Sequence, residues 1–336
     1  MPRNALVILC VVSSVSALAA ADGPYRVVKE ITIGGPGGWD YITVDPAAHR
    51  IYVSHATRIV VADTQSGKIV GEIADTPGVH GIAVAPDLGL GYTSNGRDNT
   101  STIVDLKTLK PVMKVMTGGN PDAVFYERGR HEVYTFNGQG QSATVFDAKS
   151  GNVIATIPLM GKPEAAAFDS NAKRLYVNIE DTHSIAVIDP DTHTLIATWP
   201  LSGCEEPTGL ALDIKRHRLF SVCSNSVMTV VDSQSGKLVT RAPIGARSDG
   251  AAFDPQTGYV FSSNGEGSLT VATLEGNTVN IVQTLLTQPS GRTIALDPTT
   301  HTVYIPAATM SAAAAGQRPQ PVPDSFRVLV LGMTTR

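Results

Sequence analysis

From about residue 25 onward, runs of four to six apolar and β-branched residues alternate with clusters of Gly, Pro, Asp, Asn and Ser. Such runs read as strands, and such clusters as the turns between them. The first complete unit predicts strands at Tyr41–Val44, Arg50–Ser54, Ile59–Asp63 and Ile69–Ile73. Its turns fall at Asp45–Ala48 and Gln65–Lys68. The second strand of each unit carries an aromatic residue: Tyr52, Tyr92, Tyr134, Tyr176, Phe220, Phe261 and Tyr304. Their spacings are 40, 42, 42, 44, 41 and 43 residues. A period near 40 built from strands predicts an all-β, seven-bladed β-propeller with four-stranded antiparallel blades.

The chain ends support the same count. The seventh unit offers strands at Thr293–Leu296, Val303–Ile305 and Phe326–Leu331, then stops without a fourth. An unmatched run, Tyr25–Ile33, precedes the first unit. Pairing this N-terminal run as the outer strand of the last blade closes the ring and covers a sheet edge. Ala/Pro/Gln-rich sequence within 311–323 cannot supply a blade strand and is expected to be a flexible loop.

Composition adds compartment and partner classes. Residues 1–21 read as a cleaved signal peptide: Arg3, an apolar Ala5–Val15 stretch, then Ala19-Ala20-Ala21 before Asp22. Residues 22–336 then form a single exported domain, periplasmic or secreted, with no transmembrane segment in the mature chain. The formal charge is −4 without a Lys/Arg cluster, which argues against nucleic acid as partner. Cys204 and Cys223 fall on one face of the fifth unit. Export permits a disulfide between them; two buried thiols or a soft metal site are the alternatives.

The strands "IYVS", "GYTS", "VYTF" and "LYVN", the strand ends "VAD", "IVD", "VFD" and "VID", and the turns "QSGK" and "KSGN" are similar to those of YVTN-family β-propellers. The resemblance spans about residues 25–331. It implies the fold, and relatives that include surface-layer, periplasmic and lactonase-like propellers. Thr273 departs from it, standing where the third strand should end in aspartate.

A propeller gathers equivalent residues of every blade around one channel. Counting from the inner strand gives the ring Asp40, His80, Asp122, Glu164, Thr208, Asp249 and Arg292. Three residues past each aromatic lies a second set, which includes His55, Asn95, Asn137, Cys223 and Asn264; Glu180 and Glu206 are near in sequence. Trp39 precedes the first ring position, placed either to stack on a ligand or to fill the gap between blades. This predicts a polar, acidic mouth, although solvated turn residues alone would also make a polar entrance. Asp40, Asp122, Glu164 and Asp249 are candidate ligands for a divalent metal ion. His80, His55 and Arg292 are candidate catalytic groups. The recurring Asp63, Asp105, Asp147, Asp189 and Asp232 instead predict a per-blade structural job.

The reading adopted is an exported binding protein whose mouth takes a small ligand, a metal ion or a protein. A metal-assisted hydrolase or lyase of lactone type, with 311–323 as a lid, is the alternative. A cell-envelope scaffold is the third. No haem-attachment, zinc-protease or nucleophile-elbow motif is present.

Overall fold

Seven antiparallel sheets of four strands account for every strand in the computed structural model, which describes residues 23–312 and 319–334. Strands are lettered a to d outward from the channel. Blade 1 consists of Ile42–Asp45, Arg50–His55, Arg58–Asp63 and Ile69–Ile73. Blades 2 to 6 follow in chain order, their a strands being Val79–Ala85, Pro121–Glu127, Pro163–Asp169, Pro207–Asp213 and Ser248–Phe253. The signal segment proposed for 1–21 lies outside the described residues. Among those residues no helix is long and apolar enough to cross a membrane.

Blade 7 is assembled from both ends of the chain. Ala295–Asp297, Thr302–Ala307 and Arg327–Met333 form strands a to c, and Tyr25–Thr32 is strand d. Tyr25 pairs with Met333 and Thr32 with Arg327, with a bulge between Val27 and Lys29. The N-terminal strand therefore closes the ring, as the unmatched run predicted.

The repeating aromatic packs between neighbouring sheets. All seven are buried. Several tyrosines also peg one blade to the next: Tyr92 donates to Ala148 O at 3.0 Å and Tyr176 to Ser233 O at 2.7 Å. A buried phenol finds its acceptor in this way and adds direction to apolar packing. The strand-c aspartates cap the following turn, Asp63, Asp105 and Asp147 each accepting a backbone N–H three residues on at 2.7 Å.

Cys204, in the loop before blade 5, and Cys223, at the end of its b strand, are joined in a disulfide, with Cα atoms 5.4 Å apart. The segment expected to be a flexible loop has hydrogen-bonded flanks. Ser311 N–H donates to Gln320 O and Val322 N–H to Thr309 O, both at 2.8 Å, and Met310 bridges Pro321. This short arm stands at the channel mouth.

Candidate functional site

Five of the seven ring residues, those of blades 2 to 6, stand at a backbone irregularity. In blades 2 to 6 the register of strand a against strand b slips at the ring position: at Val79/Gly81, Pro121/Val124, Pro163/Ala166, Pro207/Leu210 and Ser248/Gly250. A bulge turns a side chain out of its alternation, here toward the channel. Strand b supplies hydroxyls to amides at and near the ring positions. Ser54 Oγ accepts from Asp40 N–H at 2.8 Å, and Ser94 Oγ from Gly81 N–H at 3.1 Å.

Three charged groupings result. His80 Nδ1 lies 2.8 Å from Asp40 Oδ2 and 3.5 Å from Asp122 Oδ1. One ligand-capable atom from each of these three residues falls within 4.8 Å of the others. Lys162 Nζ pairs with Glu164 Oε1 at 2.8 Å and also with Glu180. Arg292 meets Asp249 Oδ2 at 3.1 Å and Asp40 Oδ1 at 3.8 Å. Tyr41 of blade 1 directs its hydroxyl to Glu164 Oε2 of blade 4 at 3.4 Å, so its side chain lies across the channel. A smaller cavity of ≈ 160 Å³, lined by Tyr41, Ile82, Phe125 and Phe136, lies among the inner strands.

Burial and mutual repulsion set the protonation of these groups. Asp122 is raised by burial and then by Asp40, and Glu164 by burial and then by Asp122. Asp249 is raised by burial, against the pull of Arg292. Burial opposes charge on His80 as well, but Asp40 and Asp122 overcome it and push the imidazole up to about 9. His80 is therefore an imidazolium at neutral pH, and the general-base role expected of it requires a proton to be removed first.

A pH dependence of stability follows. A folded His80 value above the ordinary 6.5 contributes stability that is complete below pH 6.5 and lost as pH rises through about 9. The raised carboxylates act in the same direction, because the folded chain keeps protons that the unfolded chain releases. The melting temperature is expected to fall from mildly acidic pH to pH 9, and Asp122→Asn to flatten that slope. An unchanged slope in the variant would count against this account.

The other predicted residues are placed differently. Asn95, Asn137 and Asn264 are fully buried and do not reach the mouth. Each amide donates to two strand-c hydroxyls of its own blade, Asn137 to Ser142 and Thr144 at 3.2 and 3.0 Å. Position at the end of strand b put them near the channel; the side chains instead tie strand b to strand c. His55 is also fully buried, its ring 4.8 Å from that of Phe326. Burial, then Arg58, lowers its pKa. Phe326 arrives after the 309–325 excursion and stacks on Trp39 at 4.8 Å. Glu180 joins the Lys162 grouping. Glu206 is exposed, its N–H donating to His183 Nδ1 at 3.0 Å. The four carboxylates expected to share a metal are divided: Asp40 and Asp122 sit with His80, Glu164 with Lys162, Asp249 with Arg292.

Six of the eight histidines hold a left-handed backbone: His49, His131, His183, His193, His217 and His301, with φ between 50° and 57°. Histidine tolerates this region better than most side chains, so these are turn residues. Only His55 and His80 lie elsewhere.

Sequence reasoning missed Tyr41, Lys162 and Arg247. Lys162 and Arg247 stand two residues before ring positions Glu164 and Asp249, and the same count at that offset would have found them. A cavity of ≈ 660 Å³ opens at the mouth between Trp39, Arg247, Asp249 and Arg292 on the ring side and Met310, Pro319 and Pro321 of the arm.

No family model and no curated protein matches the chain. Among solved structures it is similar to a chain of Kuenenia stuttgartiensis hydrazine synthase, with a TM-score of 0.73 and 15% identity over 81% of this chain and 94% of that one. At that identity the likeness establishes the seven-bladed β-propeller fold alone. In all, 1851 solved chains match, so the fold selects no particular chemistry.

Proposed function

We propose that this chain is an exported binding protein that takes a small molecule at the mouth of its channel. The observation that carries the reading is the ≈ 660 Å³ cavity, of a size that suits a small organic ligand, with charged groups on one wall and apolar ones on the other. Binding is favoured over hydrolysis because the mouth's charges are largely paired with one another. The resemblance of the strands to YVTN propellers fits such a role and selects no reaction. A second reading, a divalent cation held by Asp40, His80 and Asp122, is favoured by the convergence of their ligand atoms.

Trp39 makes the first reading testable. The protein has two tryptophans, and Trp199→Phe leaves Trp39 as the sole reporter. Saturable shifts of its emission are expected with members of a small-molecule panel spanning anionic, neutral and cationic compounds. No shift with any member would remove the reading. In parallel, equilibrium dialysis against Mn²⁺, Zn²⁺ and Ca²⁺ addresses the second: uptake lost in Asp122→Asn supports it, and no uptake by the parent ends it.

A further inference from the structure

We infer that the molecule bound at the mouth is a small organic carboxylate with a flat apolar body, its acid group held by Arg247 and Arg292 and its body laid against Trp39. This rests on the small-ligand reading above and names the ligand class.

The charge of the cavity wall points to an anion. Arg247, Arg292 and Asp249 are its charged lining residues. Arg292 spends part of its guanidinium on Asp249 at 3.1 Å. Arg247 is exposed and has no carboxylate partner among the described residues. Arg292 also lies 3.8 Å from Asp40, so the wall's unspent donors are those of Arg247, a planar guanidinium that matches a carboxylate's two oxygens. The hydroxyls of the wall are already committed: Ser248 donates to Cys223 O and Ser290 to Ala308 O, both at 2.8 Å.

The two arginines act on the same space. A Cβ placed on Gly265 would lie 3.3 Å from Arg247 Cβ and 3.7 Å from Arg292 Cβ, so both stems flank this one glycine. Arg247 holds φ at 56°, a left-handed conformation that glycine adopts without strain. On the same side of the cavity, the indole of Trp39 is stacked on Phe326 at 4.8 Å with the rings 23° apart, which gives the cavity a flat apolar surface. Met310, Pro319 and Pro321 complete an apolar wall.

The test uses 2-naphthoate, neutral 2-naphthamide and cationic 2-naphthylmethylamine, read by Trp39 emission in the Trp199→Phe protein. Naphthoate is expected to bind about tenfold or more tighter than naphthamide, the worth of hydrogen bonds to a charged group. Arg247→Gly should lose that margin, leave naphthamide unchanged, and melt no lower than its parent, because the turn is relieved. Equal affinity for naphthoate and naphthamide, preference for the amine, or naphthoate binding unaffected by Arg247→Gly would each overturn the inference while leaving a mouth that binds small molecules. Silence of Trp39 toward these three probes and toward every member of the wider panel would end both.

Discussion

A protein lacking Tyr25–Thr32 is expected not to hold the ring. That strand supplies the outer edge of blade 7, and without it Arg327–Met333 presents unpaired backbone along its length. The side chains matter as much as the ladder. Tyr25 and Ile31 are each 1% exposed. The Tyr25 ring meets Phe261 edge-on at 5.2 Å, and its hydroxyl donates to His301 O at 3.0 Å. Its backbone N–H and carbonyl are both bonded by the Gln283 side chain, at 2.9 and 2.8 Å. Tyr25 thus locks blade 7 onto blade 6. Tyr25→Ala should cost about 3–5 kcal/mol, the range for truncating a buried aromatic. Guanidinium unfolding of the full chain measures this directly, and the shortened chain should be recovered aggregated. A midpoint unmoved by Tyr25→Ala would show that closure resides elsewhere.

Loss of the Cys204–Cys223 bridge should be the next largest single effect. The linked residues are 19 apart in sequence, and a loop of that order confers about 3 kcal/mol in the chain-entropy account. Both residues are buried, at 3% and 0% exposure. A reductant should therefore act slowly on the folded protein and quickly once denaturant opens blade 5. The Cys204→Ala, Cys223→Ala variant should unfold at lower denaturant than the oxidised parent and show no further change with reductant. Identical midpoints for parent and variant would contradict this. Disulfides persist in oxidising compartments, which the export proposed from the N-terminal sequence would supply.

The fold was legible because one residue per blade repeats one job. Tyr52 and its six counterparts fill the same gap between sheets, so packing writes their spacing into the chain. Closure was legible by counting, since seven units left one strand over and one missing. The mouth was legible only in part. Position counting found Asp40, His80, Asp122, Glu164, Asp249 and Arg292, but it treated each loop as equal. It could not foresee the bulges that aim the ring, nor the division of four carboxylates among His80, Lys162 and Arg292. Asn95, Asn137 and Asn264 show the opposite failure: equivalent positions with a shared partner across the sheet rather than across the channel. His55 was misplaced because Phe326, 271 residues later in the chain, packs against it.

Tyr41, reaching from the first blade to Glu164 in the fourth, gives the disc two unlike sides. The ligand proposed for the mouth would lie on one of these sides, beside Trp39 and Arg292, and the other side would then be left for attachment of the ring to a surface.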